Sequence, residues 1–367
     1  MISRHLRPAH YIPDEASAPG EALRDRLNQL GMSQADLAAR SNLSTKHINQ
    51  IVQGIAPITH ETALILERVT GIPAHIWNAL EAAYRDAEAR ARHRKPSVED
   101  QVWLKSLPVG ELRRRGLISP ATNAADVRDE VLLFFGVADR SAWERLWLEP
   151  DASFRLSNAF QSHPGAVAAW LRAAEIIARS RKCEPFDPKA FRELLHKARS
   201  LTREPAFSLE LVRLCAKVGV ALVFVKEFVG SRTSGAARWL APDKAMIILS
   251  DRHKREDSFW FSFFHEGGHL LMHPKRETFL RDRDKRQRER VEAEADRFAQ
   301  DLLIPRAWAQ RLASLRTPEQ VEAFASETGI APGIVVGRLH NDGLWGWNRG
   351  RDLIRAVRIV ENESGAA

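Results

Sequence analysis

Apolar positions recur at helical spacing along most of this 367-residue chain, and as short continuous runs in one region only. Residues 20–90 read as five short helices. Gly31 ends the first. Ser33 and Asp36 form a capping box for the second, which carries Leu37 and runs to Arg40. Ser41, Asn42 and Leu43 make a tight turn. Ser44 caps the third helix, Thr45 to Val52, and Gly54 stops it. Thr59 caps the fourth, which holds Leu64, Leu66 and Val69 and ends near Gly71. Pro73 opens a fifth that runs to about Arg90.

Further along, Arg85–Lys95 is charged, and Pro96 and Ser97 follow, which marks a linker. Residues 98–205 read as helical, with segments Trp103–Leu117, Asp126–Gly136, Ala142–Leu148, Gly165–Arg181 and Pro188–Leu201. Their aromatic residues read as core, and the region as a place where a ligand or partner can dock. The pattern then changes. Val218–Lys226 and Ala245–Ser250 are strand-like, and Ala236–Leu240 is a candidate third strand. A small sheet here offers an edge to which an extended peptide can add. From Asp257, placed as its cap, a helix runs through Phe259, Trp260, Phe263 and Phe264 to Met272, with Pro274 ending it. It is apolar all round, which predicts burial. The charged run Arg281–Arg290 reads as a solvated loop, with a nucleic-acid patch as the alternative. Val291–Pro305 is the next helical run, and helices continue to His340 before Trp345, Trp347 and a ragged tail. The fold class is therefore mainly α with a small β-sheet (α+β). Its parts are a five-helix bundle with a flexible N-terminal arm over 1–95, a helical region over 96–205, a compact domain over 206–310 and a helical extension with a tail over 311–367.

Two short helices joined by a tight turn fit a helix-turn-helix, whose second helix enters the major groove of DNA. Ile48 and Ile51 face the core in this reading, and Thr45, Lys46 and Gln50 face DNA. Gln50 can pair bidentately with adenine, and Lys46 suits guanine. Gln34 can bond a phosphate at the start of the preceding helix. A bundle of this kind can also serve as a protein-binding module.

Charge changes the picture little but points the same way. A net charge of +8 suits a polyanionic partner. Cys183 and Cys215 are too few for a disulfide framework, so a reducing cytoplasm is expected. Met1–Arg7 lacks an apolar signal core, and apolar stretches such as Val218–Val225 are too short to span a bilayer. No membrane partner is expected.

The candidate chemistry lies in His265-Glu266-Gly267-Gly268-His269. On a helix, residues i and i+4 share a face, so both imidazoles can grip one metal ion, while Glu266 holds the water it activates. This is the core of a zinc peptidase site. A third protein ligand is expected. In the next helical run Glu292 and Asp296 share a face with Ala295 and Ala299, whose small side chains permit close approach. Glu292 can then reach the metal, and Asp296 can bond the far nitrogen of a ligand histidine. Glu294 is the second choice of ligand. The alternative is an ordinary charged helix surface. Gly267 and Gly268 weaken a helix, by about 1 kcal/mol each, but let another element pack close.

The segment Trp260–His273, followed by Glu292, Ala295, Asp296, Phe298, Ala299 and Leu302–Pro305, resembles the ImmA/IrrE family of zinc metallopeptidases over roughly 206–310. The resemblance implies a gluzincin-like domain with His265, His269 and Glu292 as zinc ligands and Glu266 as general base. Members of that family cleave or inactivate DNA-binding repressors. His273 also fits the family pattern, with no role assigned. Arg252 and His253 lie nearby in sequence, but nothing there identifies an oxyanion-stabilising residue. At the other end, Met32–Gly54 resembles the lambda-repressor/XRE helix-turn-helix family, and Ala56–Leu64 with Gly71–Trp77 is similar to HigA-type antitoxins. The combination implies a DNA-binding regulator, homodimeric on a palindromic operator, that carries a zinc-dependent endopeptidase acting on a partner protein such as a repressor or toxin. The alternative is a non-enzymatic, antitoxin-like repressor whose metal domain is a sensor or scaffold.

Overall fold

The computed structural model describes residues 17–93, 96–121, 123–148, 163–252, 254–273 and 285–357. The chain forms two compact units that part between Glu99 and Asp100. The fold is mainly helical, with one three-stranded sheet in the second unit.

The first unit holds α1 (Pro19–Gln29), α2 (Gln34–Ser41), α3 (Thr45–Val52), α4 (His60–Thr70) and α5 (Ala74–His93). Local chemistry sets each boundary. Ser33 Oγ accepts from Asp36 N at 3.1 Å and Asp36 returns the bond to Ser33 N at 3.0 Å, closing the capping box of α2. Asn42 turns the chain in the left-handed region, at φ 59°. Ser44 and Thr59 cap α3 and α4. Leu23, Leu37, Ile48, Leu66 and Trp77 are fully buried at the centre. Gly20 is required there: a Cβ would lie 2.3 Å from the Ile51 carbonyl oxygen, so α1 could not seat on the end of α3. The charged stretch expected to be linker is helical to His93, because Arg85 bonds Glu81 and Glu88 along one face of α5.

The second unit is built on a sheet of β1 (Val220–Phe224), β2 (Gly235–Ala241) and β3 (Lys244–Leu249), in the order β1-β3-β2. β3 runs parallel to β1 and antiparallel to β2. Both faces of this sheet are buried, which is why its strands read as apolar runs rather than alternations. On one face Ala221, Val223, Met246 and Ile248 join a core with Phe134, Trp143 and Trp170. On the other, Val220, Leu222 and Ile247 join Phe191, Leu211, Trp260 and Phe263.

The first face is covered by α6 (Val98–Lys105), α7 (Val109–Arg114), α8 (Ala124–Phe135), α9 (Arg140–Trp143) and α10 (Pro164–Ser180). Trp170 also donates its indole N–H to the Val225 carbonyl at 3.0 Å. The single helix expected over Trp103–Leu117 is two, because Pro108 lacks an N–H and restricts the residue before it. The second face is covered by α11 (Pro188–Leu201), α12 (Ser208–Ala216), α13 (Glu256–Met272), α14 (Lys285–Leu303), α15 (Arg306–Ala309), α16 (Pro318–Thr328) and α17 (Pro332–Asn341).

Two expectations for α13 and α14 are corrected. The cap of α13 is Arg255, not Asp257. Asp257 lies inside the first turn and accepts from the Arg255 guanidinium at 2.7 Å, while buried Glu256 accepts from Arg355 Nε at 2.7 Å. The charged run read as a loop is helical from Lys285 onward, since unbranched lysine, arginine and glutamate are good helix formers. Its first part, residues 281–284, and Pro274 lie outside the described residues. No described helix is long and apolar enough to cross a membrane.

Candidate functional site

Helices α13 and α14 build the candidate metal centre. α13 is buried along most of its length, and His265, Glu266 and His269 are 3%, 1% and 4% exposed. Polar groups at such depth need partners. α14 supplies them because the surfaces that meet are small. Ala295 and Ala299 are fully buried, and a Cβ on Gly268 would lie 2.9 Å from the Phe298 ring.

His265 Nε2 and His269 Nε2 face each other 3.0 Å apart. Glu292 reaches both, with Oε2 3.3 Å from His265 Nε2 and Oε1 3.4 Å from His269 Nε2. One donor atom from each of the three residues falls within 4.8 Å of the other two. Asp296 Oδ1 lies 2.8 Å from His265 Nδ1, on the far side of the ring. Of the two candidate glutamates the structure brings Glu292, not Glu294, to the histidine pair. Glu294 lies instead 3.3 Å from His273 Nε2, and His273 Nδ1 lies 3.2 Å from His269 Nδ1. Sequence reasoning left His273 without a role, although its spacing of four from His269 and eight from His265 was the available signal.

The donor set fits a divalent ion of the zinc type. It comprises two imidazole nitrogens and a carboxylate oxygen, all on one spot, with three protein ligands leaving a coordination position open. The electrostatics agree. Burial pushes the His265 pKa down, but the hydrogen bonds of Asp296 and Glu292 outweigh it and raise the value to about 10. Burial likewise opposes the Glu292 charge, yet the neighbouring His265 and His269 hold its carboxyl well below the usual range. The carboxylates thus favour a positive charge at His265 Nε2, the same atom a metal would take.

Glu266 sits under the first residue of β2. A Cβ on Gly235 would lie 3.0 Å from both Cγ and Oε1 of Glu266, so glycine is what lets the strand pass over this carboxylate. One turn of α13 before it lies a small cleft lined by Ser234, Ser250, Arg252, Lys254, Ser258 and Ser262, among others; Glu266 and the three metal donors do not line it. Ser258, Ser262 and Glu266 are spaced by four and share a face of α13. Arg252 donates to the Arg232 carbonyl and lines this cleft. His253 lies outside the described residues.

In the first unit, Thr45 and Lys46 are exposed at the start of α3, Gln50 is half-buried one turn on, and Ile48 and Ile51 are buried behind them. Gln34 opens α2 and is half-buried. The four candidate DNA contacts therefore belong to the two helices flanking the Asn42 turn.

Comparison with known proteins places both parts. Residues 23–77 match the helix-turn-helix family, and residues 217–340 match the IrrE N-terminal-like domain of a peptidase family. The chain is 40% identical over 78 residues to virulence-associated protein I of Dichelobacter nodosus, covering 21% of this chain and 72% of that protein. It is also similar to a solved structure of an addiction module antidote protein of the HigA family from Coxiella burnetii. That match has 32% identity and a TM-score of 0.21, and covers 21% of this chain and 86% of the other.

Proposed function

This chain belongs to the XRE-type helix-turn-helix regulators and joins their DNA-binding domain to an IrrE N-terminal-like peptidase domain, and on that premise we propose that it is a DNA-bound zinc endopeptidase acting on a partner protein. The observation that carries the reading is the convergence of His265, His269 and Glu292 within 4.8 Å, beside buried Glu266 on the same helix. His265, His269 and Glu292 hold the ion and Asp296 orients His265. A zinc ion bound there supplies a Lewis acid for the peptide carbonyl and a water of lowered pKa. Glu266 takes the proton of the attacking water and delivers it to the leaving amine. The edge of β2 away from β3, which pairs with no strand among the described residues, accepts an extended stretch of substrate, whose side chains enter the cleft along Ser258 and Ser262.

In the same proposal, residues 1–95 read a palindromic operator as a dimer. Thr45, Lys46 and Gln50 meet base edges, and Gln34 meets a phosphate. The setting is the cytoplasm.

The decisive experiment pairs metal analysis with substrate search. Wild-type protein should carry one zinc per chain, and proteomics of a native host should find a protein cleaved by wild type but not by Glu266→Gln. Zinc without any cleaved protein would favour the sensor or scaffold role. Equal metal content in wild type and a His265→Ala/His269→Ala double variant would end the metal reading.

A further inference from the structure

His273 follows the last turn of α13, four residues beyond His269, and its imidazole is buried against the metal centre without belonging to the three donors. Its Nδ1 lies 3.2 Å from His269 Nδ1, and its Nε2 lies 3.3 Å from Glu294 Oε2. The other oxygen of Glu294 accepts from Arg290 Nε at 2.9 Å. Two ring nitrogens at hydrogen-bond distance need one hydrogen between them. A carboxylate only accepts, so the hydrogen of neutral His273 sits on Nε2 and its Nδ1 is bare. His269 must then supply the hydrogen at its own Nδ1. That leaves the lone pair on His269 Nε2, the atom that faces His265 and Glu292.

We propose that Glu294 and His273 act as a two-residue relay that fixes the tautomer and ring plane of His269 for metal binding. Both are positioning residues outside the ligand set. The relay is the counterpart of Asp296 behind His265, and it gives Glu294, the carboxylate that does not reach the metal donors, a role on His269 through His273. By the same rule the 3.0 Å between His269 Nε2 and His265 Nε2 puts the shared hydrogen on His265 Nε2, where a metal would displace it, so the two acids turn both Nε2 atoms to one spot. The inference rests on the metal reading above.

The test uses the full chain and measures zinc dissociation constants by chelator competition. His273→Leu removes the acceptor at similar bulk and should weaken zinc by about 10- to 100-fold. His273→Asn keeps an oxygen near the position of Nδ1 and should recover most of that loss. Glu294→Leu, on the exposed side of α14, should weaken zinc in the same direction by less. Cobalt-loaded protein adds a readout that a packing role would not move. The exchangeable Nδ1–H proton of His269, shifted by the paramagnetic ion, should broaden in His273→Leu, while that of His265 stays. Unchanged zinc affinity in His273→Leu and Glu294→Leu overturns the relay. So does equal loss in the Leu and Asn variants with the His269 signal intact. Failure of the wild type to bind zinc or cobalt is a different result: it removes the metal reading, and the relay with it.

Discussion

Glu266 and Glu292 are carboxylates beside the same histidines, yet their positions give them different work. Glu292 approaches both Nε2 atoms from α14, at 3.3 and 3.4 Å, whereas Glu266 projects from α13 beneath Gly235. Glu266→Gln should therefore keep the metal and lower any peptide hydrolysis by about 10²- to 10⁴-fold, the usual contribution of a general base. Elemental analysis and a cleavage assay on the same sample check both halves. Asp296→Ala should weaken zinc by about 10- to 100-fold without removing a ligand. The raised His265 pKa gives a pH dependence with a definite sign. In metal-free protein the stabilisation it brings is full below the ordinary value of 6.5 and is lost as pH rises towards about 10. Zinc competes with that proton, so zinc affinity should rise over the same range. Thermal melts in chelator and in zinc across this interval should show opposite trends, and parallel trends would sink the shared-site argument.

At the scale of elements, the approach of α14 to α13 decides the site, and glycine decides the approach. Alanine at position 268 would gain about 1 kcal/mol of helix propensity, but its methyl would press on the Phe298 ring. Overpacking typically costs about 1–3 kcal/mol, so the loss should win. Gly268→Ala is expected to push the helices apart and weaken zinc although no donor changes. Gly110, in α7, has nothing within 4 Å of its would-be Cβ. Gly110→Ala should accordingly stabilise the protein by up to about 1 kcal/mol. Denaturation of the pair under one set of conditions tests whether packing or propensity sets the sign. The first unit is legible for a related reason. Ser33, Ser44 and Thr59 cap helices through bonds spanning three residues, and such contacts are written in the local sequence.

For the whole molecule, the DNA reader and the peptidase domain share one chain, which invites regulation of one by the other. Lys46→Ala or Gln50→Ala should cost about 1–3 kcal/mol at one base position, whereas Gln34→Ala should weaken all sequences alike. Selection from random DNA, followed by titration, separates the two outcomes; an unchanged consensus in the Lys46/Gln50 double variant would remove α3 as the reading helix. Coupling to the peptidase domain is expected to be about 1–3 kcal/mol if metal or substrate binding shifts operator affinity. Operator titrations of wild type and Glu266→Gln, with and without zinc, measure it directly.

The sequence by itself determined what depends on near neighbours: the capped helices, the Asn42 turn, the apolar strands and the grouping of His265, Glu266 and His269 on one helix. Each follows from contacts within a few residues or from a single period. Tertiary structure alone decided the rest. Periodicity could not say that α6 to α10 cover one face of the sheet, because a helix's apolar stripe does not name its partner. It could not choose Glu292 over Glu294 with certainty, since only the packing of α14 on α13 turns one carboxylate to His265 and the other to His273. Nor could it supply the Glu294–His273–His269 chain, because its first link, from Glu294 on α14 to His273 at the end of α13, is set by the packing of two elements.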